Sequence, residues 1–368
     1  MQGVRRHQAS MPVIMPDENS MKPDRSSHSP VACPRWTRRT ALTGLSALAG
    51  SVALLGGTVN PARADPPPET TRIRLIKASL CTAPAYVAEE LLRAEGFSEV
   101  QYIDDDPREI GTSKLVATGE ADLNMSFGLT TLVRVDAGEP VVLLAGVHAG
   151  CYELFGMNRV RSIRDLRGAR VAIPGFGSTH HTFLSVIAAY VGLDPRREIS
   201  WVTMSREEAM RQLAAGGVDA YLGFPPDPQE LRAKRVGRVV LNSSTDQPWA
   251  QYFCCMVVGN RGFVKRNPVA TKRALRALLK ATDMCAMQPA RYAQFLVEKG
   301  YVENLEYARQ TLTDIPYRKW REYNPEDSVR FFALRLREVG MVKSTPQKLI
   351  AEGTDWRFLD ELRKELRA

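Results

Sequence analysis

The pattern that most constrains this chain occurs twice. Leu115-Val-Ala-Thr-Gly119-Glu-Ala-Asp122-Leu123 reads as a short helix stopped by glycine and followed by a strand. Leu213-Ala-Ala-Gly-Gly217-Val-Asp219-Ala-Tyr221 repeats that design. Glycine is the residue that turns a helix end through the left-handed region. Each copy then runs into an aromatic turn, Ser126-Phe127-Gly128 in the first and Gly223-Phe224-Pro225 in the second. The repeat implies two related α/β units. Upstream, Thr71–Lys77 alternates apolar and polar residues as a half-buried strand does. A helix opens around Pro84, where a missing N–H costs nothing, and Val100–Ile103 is a second strand. Strand, helix, strand predicts a mostly parallel sheet with right-handed crossovers.

Two apolar runs join the units. Pro140–Gly146 reads as a buried strand and continues through His148, Gly150 and Cys151 into Tyr152-Glu-Leu-Phe155. Trp249 to Val258 reads as the return. Two crossings predict two lobes with a hinge and a cleft. The first lobe takes residues 65–149 and 253–368, and the second takes 150–252. After Asn267-Pro268 the chain turns helical, with Asn267 expected as the cap and Leu275, Leu278 and Leu279 on one face. Further helices are expected to begin near Pro289, Asn304, Pro325 and Trp356. Lys272, Arg273, Arg276 and Lys280 form a basic row, read as a solvated face or a docking surface.

The first 64 residues have another character. They hold eight basic and three acidic residues, so they carry five of the nine formal positive charges of the whole chain. Residues 1–35 are polar and rich in Pro, Ser and Arg, which reads as disorder, and Met11, Met15 or Met21 is an alternative start. Arg38-Arg39 precedes Thr40–Ala62, a stretch without charge, and Ala62-Arg63-Ala64 is a small-x-small cleavage site. Basic residues, apolar core and cleavage site in that order describe an export signal, here similar to the twin-arginine type. We therefore expect a mature chain beginning near Asp65 in the periplasm. What remains is mildly basic with no dense Lys/Arg run, which argues against nucleic-acid binding. Six cysteines in 368 residues are too few for a disulfide scaffold.

Three strand-to-helix loops carry small residues and hydroxyls: Ser79–Pro84, Gly128–Thr131 and Gly175–His181. Ligands of open α/β sheets sit beyond the carboxyl ends of the strands, so these loops predict a ligand cleft. The Gly175-Phe176-Gly177-Ser178-Thr179-His180 loop offers exposed amides at a helix start. It is not a dinucleotide fingerprint, since His180 stands where the third glycine belongs, and it lacks the Gly-Lys-Ser/Thr of a P-loop. His180 is expected to hydrogen-bond the ligand and His181 to pack. Beyond the leader the chain keeps Cys81, Cys151, Cys254, Cys255 and Cys285. Adjacent residues on a strand face opposite sides, so only one of Cys254 and Cys255 should reach the cleft. Three thiols with His148, His180 or His181 could converge there, but the spacing matches no metal motif. The simpler expectation is buried apolar cysteines, with no metal and no cofactor.

Taken in order, these segments resemble a known family. They are the export signal, the Pro84-Ala-Tyr86 helix, Gly119-Glu-Ala-Asp122, Ile163-Arg-Asp-Leu166-Arg-Gly168 before Val171-Ala-Ile-Pro174, Gly192-Leu-Asp194-Pro195, Gly217-Val-Asp219-Ala220 and Asn267-Pro268. They resemble the solute-binding components of ABC importers of the nitrate/taurine/sulfonate type, which share a fold with the thiamine-pyrimidine-synthase-like proteins. The resemblance spans about residues 70–300. It implies a type II periplasmic binding protein fold: two lobes, each a mostly parallel sheet with flanking helices, a cleft between them and a helical C-terminus.

The resemblance also implies that Cys81, Thr82, Ala83, Tyr86, Phe127, Gly128 and Thr130 line the cleft from the first lobe. Phe176, Gly177, Ser178, Thr179, His180 and Phe224 would line it from the second, with His148, Trp249 and Tyr252 near the crossings. These loops carry no Arg or Lys, which a dedicated nitrate or sulfonate site would use to pair its anion. Tyr86, Phe127, Phe176, Phe224, Trp249 and Tyr252 instead offer faces to a flat ligand, of which about half should touch it. The expected partners are a small organic solute (aromatic, heteroaromatic, carboxylate or sulfonate) and a membrane permease. The expected state is a monomer. A pyrimidine-synthase-like enzyme and a sensor that reports to a membrane receptor stand as alternatives.

Overall fold

The computed structural model describes residues 65–366 apart from Ala78 and Glu109. The leader and export signal expected in residues 1–64 lie outside the described residues. Among the described residues, ten strands form two five-stranded sheets. They are β1 (Arg72–Ile76), β2 (Glu99–Ile103), β3 (Leu123–Phe127), β4 (Val141–Ala149), β5 (Glu153–Gly156), β6 (Arg170–Ile173), β7 (Ser200–Thr203), β8 (Ala220–Gly223), β9 (Arg238–Asn242) and β10 (Phe253–Asn260). The first sheet runs β2-β1-β3-β10-β4 and the second β7-β6-β8-β5-β9. In each sheet a single strand runs against its neighbours: β10 in the first and β5 in the second.

The two orders are one plan used twice, as the repeated glycine-to-aspartate segment predicts. The helix Lys114–Thr118 ends at Gly119, φ 80°, and leads into β3. The helix Arg206–Ala215 ends at Gly216, φ 75°, and leads into β8. The aspartates do the same work in both. Asp122 Oδ2 accepts the Arg74 amide at 2.8 Å and pairs with the Arg74 guanidinium. Asp219 Oδ2 accepts the Arg170 amide at 2.8 Å and faces the Arg170 guanidinium. Each aspartate therefore fastens a strand, β1 at its middle and β6 at its first residue, to the turn before the neighbouring strand.

β4 and β5 are one extended run divided between the sheets, with the crossing at Gly150–Tyr152. Gly150 has φ 46°, and a Cβ there would run into the Ser243 carbonyl. Ser243 Oγ accepts the amides of Cys151 and Tyr152, so the outgoing chain is clasped to the end of β9. All nine residues of β4 are buried, which explains the near-continuous apolar run.

The C-terminal helices begin where expected: Pro289–Glu298, Leu305–Asp314 capped by Asn304, Pro325–Glu338 capped by Asn324, and Arg357–Glu365 after Trp356. An additional helix, Pro346–Gly353, was not expected. Two expectations need correction. Asn267 does not cap the helix Pro268–Met287. Its side chain donates to the Phe263 carbonyl, and the Glu69 carboxylate accepts the Val269 and Ala270 amides instead. The basic row is an open face only at Lys280, which is exposed. Arg276 pairs with Asp65, Glu95 and Glu365, and Lys272 with Asp65, Glu361 and Glu365. Among the described residues no helix is long and apolar enough to cross a membrane.

Candidate functional site

The carboxyl ends of the parallel strands in both sheets meet across one seam. From the first lobe β3 delivers Phe127, and from the second the helix Thr179–Tyr190 delivers Phe183, with ring centres 5.1 Å apart. Tyr152, the last residue of the crossing, touches Phe127, Phe183 and Phe224 at 5.2–5.4 Å. At the centre lies a cavity of about 30 Å³ lined by Cys81, Thr82, Asn124, Phe127, Cys151, Tyr152, Phe224 and Cys255, among others. Two larger clefts open on either side. One, of about 640 Å³, lies between Thr130 and Arg134 of one lobe and the Gly175–His181 loop of the other. The second, of about 630 Å³, lies between Tyr86, Lys77 and Tyr301 and the Arg206 and Pro225 region.

The Gly175–His181 loop forms as its residues dictate. Gly177 takes φ 83°, and Ser178 Oγ accepts the His181 amide as the helix cap. Thr179 is buried and its methyl lies against Gly111 of the opposite lobe. Phe176 is 69% exposed at the rim, edge-on to His181.

His180 sits deeper, 5.9 Å from Tyr221 in a stack and 5.2 Å from Phe224. Its Nε2 is buried without a hydrogen-bond partner. Burial, and then the charge of Arg206, hold this imidazole well below its ordinary pKa, so it is neutral near pH 7. His181 is pushed down to about 4 by burial alone.

Thiols and one imidazole fill the floor of the seam. Cys151 Sγ lies 3.4 Å from Cys254 Sγ, and Cys81, Cys151 and Cys255 cluster with His148. Both members of the Cys254-Cys255 pair come near Cys151, yet only one of them faces the cleft, as strand alternation predicts. A register shift in β10 falls beside the pair, between Phe253 and Cys255. Only Cys255 of the two lines the central cavity. All five cysteines of the described residues are buried and free. Hydrogen bonds from the neighbouring thiols and the His148 charge hold Cys255 well below its usual pKa against the effect of burial. His148 rises to about 10, its burial outweighed by the Cys255 charge and by thiol contacts.

The remaining expected residues separate into groups. Gly128 and Thr130 open the helix Gly128–Asp136, where the Thr130 hydroxyl donates to the Gly111 and Phe127 carbonyls. Tyr86 stacks on Tyr301 at 3.9 Å beside one outer cleft. Ala83 is packed in the core. Trp249 and Tyr252 are not brought to the seam's cavity. Trp249 packs on Phe183, Tyr190 and Phe331, and Tyr252 stacks on Phe331 at 3.9 Å. The physical reason is the helix Pro325–Glu338, whose aromatic face covers this return segment.

Sequence reasoning missed Arg206. It pairs with Asp227 at 2.7 Å and lies 4.3 Å from the Phe224 ring centre, while the Tyr221 hydroxyl donates to the same carboxylate. The signal was available: Ser205 caps a helix directly after β7, which is the same strand-to-helix logic that marked the other loops. Tyr152, Phe183 and Asn124 were also missed, since each reads as ordinary strand or helix core.

Two lobes of one topology, joined by crossing strands and meeting at their strand ends, define a periplasmic binding protein fold. The family model described as NMT1/THI5 like matches residues 82–292, more than half of the chain, and the chain belongs to that family. The fold is similar to the periplasmic nitrate-binding protein NrtA from Synechocystis PCC 6803, with TM-score 0.68 and 16% identity, covering 82% of this chain and 90% of that one. It is also similar to the alkanesulfonate-binding protein SsuA from Xanthomonas axonopodis pv. citri bound to MOPS. There the TM-score is 0.62 and the identity 18%, covering 78% of this chain and 99% of that one. In sequence the chain is 22% identical over 260 residues to the Saccharomyces cerevisiae 4-amino-5-hydroxymethyl-2-methylpyrimidine phosphate synthase THI5, covering 65% of this chain and 72% of the relative.

Proposed function

We propose that this chain is an exported solute-binding protein of an ABC importer, its leader removed near Ala64, that captures a small organic solute as a monomer and hands it to a membrane permease. One observation carries the reading. The buried seam takes side chains from both lobes, Phe127 and Cys81 from one and Phe224 and His180 from the other. A solute touching both would favour the closed arrangement over the open one, which is how cleft closure becomes a signal. With about 30 Å³ at its centre, the seam admits an organic molecule only when the lobes part. Neutral His180 and the aromatic walls suit a flat heteroaromatic ring with hydrogen-bonding edges.

The solved neighbours are named for nitrate and alkanesulfonate, and the sequence relatives for a hydroxymethylpyrimidine phosphate. These names set the test. The purified full chain is heated with nitrate, with MOPS, and with 4-amino-5-hydroxymethyl-2-methylpyrimidine and its phosphate. We expect a higher melting temperature with the pyrimidine or its phosphate and none with nitrate. A folded protein that responds to none of the four ends the pyrimidine reading. The relatives' name also favours a second reading, a synthase, and mass spectrometry after incubation separates the two. A binder returns the pyrimidine and its phosphate unchanged, whereas covalent conversion of either one would point to an enzyme.

A further inference from the structure

Four soft donors meet where the first sheet crosses into the second. The Sγ atoms of Cys81, Cys151 and Cys255 and a ring nitrogen of His148 all lie within 4.8 Å of one another. All four side chains are buried, and His148 has no exposed surface. They come from three separate parts of the chain: the loop after β1, the end of β4 with its crossing, and β10.

The histidine is oriented from behind. Its Nδ1 faces the Ala149 carbonyl at 3.3 Å and the Gly150 carbonyl at 3.1 Å. A carbonyl oxygen only accepts, so Nδ1 keeps its proton whatever the charge of the ring, and Nε2 is the nitrogen that would give up its proton to a metal. That Nε2 is buried and has no hydrogen-bond partner. An imidazole whose far nitrogen donates to a backbone carbonyl is the form a metal-ligating histidine takes. Ordinary core packing accounts for one buried thiol. It does not account for three thiols around an imidazole nitrogen left without a hydrogen bond.

We propose that Cys81, His148, Cys151 and Cys255 form a four-coordinate site for a thiophilic d¹⁰ cation, Zn²⁺ or Cu⁺. Three thiolates and one imidazole are a closed tetrahedral set for zinc, and thiolates equally select Cu⁺. With metal–sulfur bonds of about 2.3 Å and a metal–nitrogen bond of about 2.0 Å, the donors of such a site stand about 3.5–3.8 Å apart. The side chains reach this by drawing in by about 1 Å. Cys81, Cys151 and Cys255 also line the central 30 Å³ cavity, so the bound ion faces the space between the lobes. The proposal does not rest on the import reading, because the four donors are assembled whatever the cleft binds.

The test uses the full chain, reduced and purified without oxygen. Zn²⁺ and Cu⁺ are titrated separately against a chromophoric chelator, and Co²⁺ serves as the spectroscopic probe. We expect one equivalent of Zn²⁺ or Cu⁺, a thiolate-to-cobalt charge-transfer band, and X-ray absorption showing three sulfurs and one nitrogen around zinc, or thiolate sulfur around copper. Cys81→Ser and Cys255→Ser should each weaken binding by at least about 100-fold. Cys285→Ser, whose thiol is buried in the helix Pro268–Met287 outside the cluster, should leave it unchanged.

His148→Gln covers the case in which a cysteine variant fails to fold, since it should bind cobalt with a shifted ligand-field spectrum. Failure of both ions to bind stoichiometrically would overturn the site. So would binding that survives in folded Cys81→Ser and Cys255→Ser, or a Cys151–Cys254 disulfide recovered under these reducing conditions. Pyrimidine binding is measured separately on chelator-treated protein, so loss of the metal proposal leaves the solute result standing.

Discussion

Asp122 and Asp219 occupy equivalent corners of the two sheets, yet their surroundings differ. The Asp122 side chain is 7% exposed against Arg74 at 27%, whereas Asp219 is 18% exposed against Arg170 at 49%. Water screens the second pair more. Asp122→Ala should therefore cost about 2–3 kcal/mol and Asp219→Ala about 1 kcal/mol, read from denaturant unfolding. Equal losses would mean that the backbone amide, common to both, carries the effect. The histidines give a second check at this scale. Free histidine titrates near 6.5, while His181 is pushed down to about 4 by burial. Between those values the unfolded chain takes up a proton that the folded chain refuses, so stability is lost as pH falls from about 6.5 to 4. Melting temperature against pH should fall more gently for His181→Gln over that window; identical slopes would remove His181 as a source.

At the level of elements, the strand-to-helix loops were legible because their chemistry is local. Glycine, serine and proline act on their own turns, so Gly119, Ser178 and Pro325 announce their roles in the sequence. What was not legible depends on neighbours distant in the chain. Trp249 and Tyr252 were read towards the cleft because nothing in residues 249–252 reports the helix Pro325–Glu338 that covers them. Asn267 had the right chemistry for a cap, but Glu69 had already taken the amides. Alternation along β10 did put only Cys255 of the adjacent pair on the cavity, but nothing local reports that Cys254 lies against Cys151 across the crossing. The crossing itself is testable. Gly150→Ala places a Cβ against the Ser243 backbone at a left-handed φ, and should cost about 2–4 kcal/mol from strain and crowding together. A melting temperature within a degree of the parent would show that the crossing relaxes freely.

For the molecule as a whole, the two sheets share one topology but not one history along the chain. The second sheet is continuous, with all of its strands drawn from residues 153–242. The first is not, for β10 lies between β3 and β4 and hydrogen-bonds to both. A ribosome has therefore delivered every strand of the second sheet before the middle of the first exists. Until residue 260 emerges, β3 and β4 each hold an open edge towards the other, and open edges invite pairing with foreign strands. Closing that gap joins segments more than a hundred residues apart in sequence, the kind of contact that slows folding. The lobe that is synthesised first is thus the one completed last, and the strand that completes it brings Cys255 to Cys81, Cys151 and His148 in the same step.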